Sequence, residues 1–242
     1  SALYKLDSIS SLKFAYNRNL QFLQLVSNTT NGLPLDVWKA SDYHIEPLKV
    51  NQIALGYVRG VMDNKLELTV EGYYKILRDV MDYKNNADLF LNNTLETELI
   101  AGKGRAYGLE FMLRKIKGDF TGWLSYTLSK SELRVESEYK SELINNGDWY
   151  KSSFHKPHDL TFVGNYQWTK RFSTSFNFVY ATGRAITLPD GKYEILGVVI
   201  PNYSERNQGR LSAYHRLDLS AEIQNKKNDN RTYQSSLVFS VY

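Results

Sequence analysis

The chain has 242 residues, enough for one large or two ordinary domains, so size does not exclude a buried globular core. Charged residues make up 23% and the net charge is +4, with the basic residues scattered, which excludes the cationic block of a nucleic-acid arm. There is no cysteine, which excludes a disulfide framework, a Cys-ligated zinc site and a thiol nucleophile.

Aromatic residues are 14% of the chain, with 18 Tyr, 11 Phe and 4 Trp. These side chains favour strands, and Tyr and Trp also suit a membrane–water interface. No apolar run is long enough for a transmembrane helix, which says nothing against a transmembrane β-barrel, whose strands alternate and look polar on average. The opening "SALYKLDSIS" has no basic segment followed by an apolar one, so no signal peptide is visible. Either the protein is cytosolic or the chain is not the whole gene product.

Alternation with a period of two runs from end to end and predicts a nearly all-β chain. A partial strand over Ala2 to Leu6 is followed by strands at about Ser11 to Asn19, Lys49 to Val61, Lys65 to Asp79, Gly104 to Lys117 and Asp119 to Glu132. Four more follow at Pro157 to Trp168, Phe172 to Gly183, Ala213 to Asn225 and Arg231 to Tyr242. Short polar turns are expected at Asp7 to Ser10, Met62 to Asn64, Gly118-Asp119, Thr169 to Arg171 and Lys226 to Asn230. Long connections lie between them, over Leu20 to Leu48, Val80 to Lys103, Leu133 to Lys156 and Arg184 to Ser212. Short and long alternate strictly, so an antiparallel up-and-down meander gathers the turns at one end and the loops at the other. Outer-membrane barrels have that asymmetry, and the strands are long enough to cross a tilted bilayer.

Each strand splits into two columns. Leu66, Leu68, Val70, Gly72, Tyr74 and Ile76 oppose Glu67, Thr69, Glu71, Tyr73 and Lys75. Leu109, Phe111 and Leu113 oppose Glu110, Met112 and Arg114, and Leu124 and Tyr126 oppose Trp123, Ser125 and Thr127. Phe162, Phe176, Phe178, Leu217 and Leu219 continue the apolar column later in the chain. A sandwich also alternates, with its apolar face inward. Tyr74, Trp168 and Tyr180 near strand ends instead fit the aromatic girdles of a membrane barrel.

Enzyme signatures do not survive scrutiny. Glu67 and Glu71 share a face but their backbones lie roughly 14 Å apart along a strand, so a hydrated wall explains them better than an acid/base pair. His155, His158 and Asp159 surround a proline without a second ligand pair nearby, which argues against a metal site. "GKGRAYG" lacks the Gly-Lys-Ser/Thr ending and the following helix of a phosphate loop; its glycines are expected to relax the chain where a loop enters the sheet. Ser204, His215 and Asp218 contain the residue types of a triad without a nucleophile elbow, and Arg216 with Asp218 is expected to be a structural ion pair. No enzyme activity, metal or cofactor is expected.

"GKGRAYGLEF" with "GWLSYTLS", then "NNGDWY", "KPHDLTFVGNYQW", "FVYATGRAITLPDGKY" and "AYHRLDLSAEIQ", taken in that order, resemble the C-terminal barrel of TonB-dependent outer-membrane receptors, particularly those of Bacteroidetes. The resemblance spans essentially the whole chain. It implies a share of about ten strands in a barrel of roughly 22 with a plugged lumen, in the outer membrane of a Gram-negative bacterium. It further implies energy-coupled uptake of a scarce ligand such as an iron chelate, cobalamin, oligosaccharide or peptide. The partners implied are outer-membrane lipid, a plug and further barrel strands outside this chain, TonB-ExbB-ExbD acting through the plug, and a surface lipoprotein; nucleic acid is not among them.

On that reading residues 1–242 are a C-terminal barrel segment that ends about one strand short of closure, with no plug or signal peptide of its own. The lipid-facing wall comprises Leu66, Leu68, Val70, Leu109, Phe111, Leu124, Tyr126, Phe162, Phe176, Phe178, Leu217 and Leu219. Loop residues Trp38, Tyr43, Asn146, Asp148, Trp149, Tyr150, Tyr193 and Tyr203 are the candidates for ligand contact. Two other readings stay open at this point: a soluble β-sandwich binding or adhesion module, and a porin-like barrel without TonB coupling.

Overall fold

A computed structural model describes residues 1–26, 37–63, 65–85, 87, 92, 94–203, 205–225 and 235–242. Ten strands follow one another in a single sheet: β1 (Ala2–Lys5), β2 (Ser10–Gln21), β3 (Leu48–Val61), β4 (Leu66–Tyr83), β5 (Leu99–Lys115), β6 (Phe120–Arg134), β7 (His158–Gln167), β8 (Phe172–Ala181), β9 (Tyr214–Gln224) and β10 (Ser236–Val241). Each pairs antiparallel with its neighbours in chain order. The predicted meander is therefore the observed one. The expected turn at Lys226 to Asn230, and Arg231 to Gln234 of the last strand, lie outside the described residues.

Two boundaries differ in an instructive way. β4 and β5 run to 18 and 17 residues, so the connection between them is residues 84–98 and not the 80–103 expected. In β4 the signal is hidden because the alternation breaks at a bulge between Arg78 and Val80. There Asp79 takes a left-handed backbone, φ 60°. Its carbonyl accepts from Gln24 Nε2 at 3.3 Å, its carboxylate meets Lys49 Nζ at 3.0 Å, and Gln24 Oε1 accepts from Met81 N at 3.1 Å. A bulge shifts the pleat by one residue, so a period-two reading loses the strand where its pairing in fact continues.

The observed extent of β5 also corrects the reading of "GKGRAYG". Gly102 and Gly104 lie inside β5 rather than at its entrance. A Cβ on Gly102 would meet the Arg134 carbonyl oxygen at 2.8 Å, so close approach of β6 is what requires a glycine there.

Registers assemble the strand columns into rows that cross the sheet. Leu68, Leu113, Leu124, Phe162, Phe178 and Leu217 form one such row, each directly opposite the next. A parallel row runs Tyr57, Val70, Phe111, Tyr126, Leu160, Tyr180. This apolar face is exposed: Leu109 retains 46% of its accessible surface and Leu219 51%. Ring contacts knit it together, Phe111 stacked on Tyr126 and Phe162 edge-on to Phe176. The opposite, polar face sets Glu71 against Glu110 and Glu67 against Arg114. Arg216 and Asp218 form the expected ion pair at 2.6 Å.

The buried core lies at the loop end. One cluster joins Ile45, Leu95 and Leu99 to Met81 and Tyr83; a second joins Val135, Ile144 and Tyr150 to Ile100 and Leu133. The loops also carry structure that alternation did not announce: a hairpin pairing Leu23–Val26 with Val37–Ala40, another pairing Gly191–Ile195 with Val198–Asn202, and a short strand Tyr150–Lys151 added to β6.

Candidate ligand-binding site

The loop between β8 and β9 is closed at its neck by two short strands, Ala185–Ile186 and Gly209–Arg210. The neck holds the "ERNQG" stretch, residues 205–209, against the end of β4. Asn145 grips both backbone groups of Arg206: its Oδ1 accepts from Arg206 N at 2.7 Å and its Nδ2 donates to Arg206 O at 3.0 Å. Asn207, at φ 56°, donates from Nδ2 to Lys151 O at 2.8 Å and from its backbone N to Thr187 Oγ1 at 3.0 Å.

Arg206 is then a buried cation whose two terminal nitrogens are both hydrogen-bonded. Nη1 reaches Asp82 Oδ1 and Tyr83 O, both at 2.7 Å, Nη2 reaches Asn85 Oδ1 at 3.2 Å, and the guanidinium lies 3.8 Å over the Tyr83 ring. The Tyr150 hydroxyl donates to the other oxygen of Asp82. Burial, with the Asp82 carboxylate second, pushes the Tyr150 phenol above its ordinary value, so it remains a neutral donor. A charge buried this deeply is tolerated only because it is paired and hydrogen-bonded.

This knot floors a cavity of about 400 Å³. Trp38, Leu77, Tyr83, Phe154, Arg206 and Asn207 are among its walls. Leu77 belongs to the polar column of β4, which puts the cavity on the polar face at the loop end of the sheet. Trp38 and Phe154 are 60% and 68% exposed and offer open rings, while Ser152, Ser153 and Asn207 supply hydroxyl and amide groups. With Arg206 neutralised by Asp82, the arrangement suits a ring-bearing ligand held by stacking and neutral hydrogen bonds.

Of the residues selected from sequence, Trp38 alone lines this cavity. Tyr150 is buried behind it on Asp82. Trp149 lies over the Arg105 guanidinium at 4.2 Å. Tyr43 is 96% exposed with its ring edge on His44, Asn146 sits in a tight turn at φ 57°, and Asp148 is exposed beside it. Tyr193 and Tyr203 are exposed on the outer hairpin and just past it. Sequence reasoning missed Arg206, Asn207 and Phe154. Arg206 follows the selected Tyr193–Tyr203 stretch by three positions, and no local pattern distinguishes it from the scattered surface arginines.

His155 and His158 are separated by the fold. Arg210 Nη2 contacts His155 Nδ1 at 3.0 Å, while His158 Nδ1 meets the Tyr126 hydroxyl at 2.8 Å on the apolar face. Among the described residues no cluster of His, Asp and Glu is placed to hold a metal ion.

No family model and no curated protein matches the sequence. Solved structures do. The ferric-catecholate import receptor Fiu of Escherichia coli K12 superposes with TM-score 0.57 at 18% identity over 94% of this chain and 28% of its own. The chain has the barrel-wall fold of TonB-dependent outer-membrane receptors. The ferripyoverdine receptor of the outer membrane of Pseudomonas aeruginosa gives 0.59 at 13% identity over 93% of this chain and 26% of its own. The alcaligin receptor FauA of Bordetella pertussis gives 0.52 at 12% over 99% and 33%. This chain thus spans about a quarter to a third of the length of the receptors it matches.

Proposed function

We propose that the chain is wall and extracellular loops from the C-terminal part of an outer-membrane receptor that takes up a scarce ligand, an iron chelate first among the candidates, with energy delivered by TonB through a plug. The observation that carries this reading is the apolar face. It runs across the hydrogen-bonded sheet and stays open, where a β-sandwich would cover it with a second sheet. Burying such a face in lipid removes its apolar area from water at about 25 cal/mol per Å². The lipid-facing rows then contain Leu66, Leu68, Val70, Leu109, Phe111, Leu124, Tyr126, Phe162, Phe176, Phe178, Leu217 and Leu219.

Charge supports the same orientation. On β6 the apolar column runs from Phe120 to Leu128, about 27 Å along the strand, and Lys130, Glu132 and Arg134 follow it on the same face. At the usual tilt that span is close to an outer-membrane apolar band. The Tyr74–Tyr107 stack lies at its loop-side margin and Tyr166 with Trp168 at its turn-side margin. The polar face, with the cavity at its loop end, then looks into the lumen. The similar structures include a ferric-catecholate import receptor, a receptor bound to ferripyoverdine and an alcaligin receptor, and the exposed rings of Trp38 and Phe154 suit a planar ring such as a catechol.

Uptake of radioiron as ferric-catecholate and ferric-hydroxamate chelates, compared between cells with and without the gene, tests the proposal. Gene-dependent uptake that a protonophore abolishes is the expected result. Protonophore-resistant uptake would indicate a porin-like barrel, and recovery of the protein in the soluble fraction would overturn the wall reading.

A further inference from the structure

The apolar face ends in a feature the transport reading does not use. Directly opposite one another on four consecutive strands stand Lys49, Arg78, Lys103 and Arg134. All four continue the apolar columns of their strands, so the row lies on the lipid-side face. Strands spaced about 4.8 Å apart make it about 14 Å wide. Like charges directly opposite on a sheet repel and cost stability unless something offsets them. Here the offset is incomplete. Lys49 has Glu46 and Asp79; Lys103 and Arg134 share Glu136, at 2.7 and 3.0 Å. Arg78 is exposed and makes no ion pair among the described residues.

One row nearer the apolar band, Arg105 and Lys130 share the single carboxylate of Glu132, at 2.7 Å each, and Lys151 stands opposite Glu132. Across the two rows and Lys130, cations exceed carboxylates by three.

Two grooves meet at this margin. The lower is a cavity of about 840 Å³ with almost wholly apolar walls, among them Phe14, Leu55, Leu109, Leu128 and the Tyr74 and Tyr107 rings. Gly72 makes its notch: it occupies a position in the apolar column where Leu55 and Leu109 flank it from either side. The upper cavity, about 660 Å³, is walled by Arg78, Lys103, Arg105 and Arg134, with Trp149 at its rim. Tyr74 belongs to both, so an apolar slot opens directly beneath a cationic shelf.

We infer that this face binds a phosphorylated, acylated lipid of the outer leaflet, with an acyl chain in the Gly72 groove and the phosphate on the Arg78–Lys103 shelf. The inference rests on the wall reading above, which sets the loop end of the sheet at the outer headgroup level. Charge complementarity selects the occupant: a zwitterionic or neutral lipid would fill the groove and leave the excess cations uncompensated. Basic residues at a bilayer surface are drawn to anionic lipid, each adding to the affinity. Arginine at a phosphate adds paired, directional hydrogen bonds.

The test uses the protein extracted from its outer membrane in mild detergent and stripped of lipid, with binding read by native mass spectrometry. The probes are bisphosphorylated lipid A, phosphatidylethanolamine and inorganic phosphate. Lipid A is expected to bind at least about tenfold better than phosphatidylethanolamine, without displacement by millimolar inorganic phosphate. The double substitution Arg78→Gln/Lys103→Gln, on exposed groups whose loss costs the fold little, is expected to weaken lipid A about twentyfold. Gly72→Leu, filling the notch, is expected to weaken both lipids. Equal binding of the two lipids, or a double variant that binds lipid A as well as the parent does, overturns this inference and leaves the wall reading standing. A protein that stays soluble and monodisperse without detergent overturns both.

Discussion

The wall and the loop cap keep their apolar residues in opposite ways. In the wall, Leu55, Leu109, Phe111, Leu113, Leu217 and Leu219 stay between 38% and 58% exposed. In the cap, Val135 and Ala185 are fully buried and Ile45 and Ile144 nearly so. A soluble protein would reverse this and bury its strands. The wall is held instead by its ladder of backbone hydrogen bonds and by side-chain rows that need an external apolar medium. The cap carries its own small core and buried polar knot, because its backbone and charges must be satisfied by the protein itself. The two regions should therefore fail separately.

The largest separation is expected at Arg206. Substituting Arg206→Ala leaves Asp82 buried without its cation, a loss of about 3–5 kcal/mol for a buried pair. Hydrogen exchange in the membrane-inserted protein should quicken in residues 182–213 and at the end of β4 and leave the middle of β4 through β8 unchanged. A uniform rise along the wall would show that cap and wall unfold together.

Reversing the roles, Phe111→Arg puts a charge in the middle of the apolar face and should cost about 2–4 kcal/mol in a bilayer, whereas Thr127→Arg, opposite Glu110 on the polar face, should cost under about 1 kcal/mol. Urea unfolding in lipid vesicles measures both. A larger loss for Thr127→Arg would exchange lumen and lipid sides.

Within the cap, Tyr150→Phe keeps the packed ring and removes only the donor to Asp82. The expected cost is about 1.5–3 kcal/mol, the range for a hydrogen bond to a charged group. It should show as faster exchange in the loop between β6 and β7 and nowhere in the lower wall.

The same division decides what could be read from the sequence. The wall was legible almost strand by strand because one physical demand, an apolar face every second residue, repeats along β2 through β9. It failed where Asp79 inserts an extra residue and hides the upper part of β4, and where Gly102 and Gly104 read as a loop entrance and hide the start of β5. The cap was not legible, because its contacts join residues far apart in the chain: Arg206 with Asp82, Asn145 with Arg206, Gln24 with the bulge. Choosing loop residues by aromatic character found Trp38 in the cavity, yet it also selected Tyr43, Tyr193 and Tyr203, which the fold leaves outside. An aromatic ring in a loop signals contact with something, and the sequence does not say whether that is ligand or neighbouring loop.

The smallest predicted effect is a dependence of the cap on pH through His155. Burial, with Arg210 second, lowers the imidazole pKa, so the folded cap binds fewer protons at this site than the unfolded loop does. Stability is therefore complete above the unfolded value near 6.5 and is lost as pH falls through the lower folded value, where the ring must charge beside Arg210. Exchange of residues 150–156 and 209–211 should quicken between pH 6.5 and mild acid while the wall strands stay unchanged. His155→Gln should flatten that response, since an amide can still meet Arg210 without titrating. A response that persists in the variant would move its origin away from His155, and one that extended into the wall would count against the independence of the two regions.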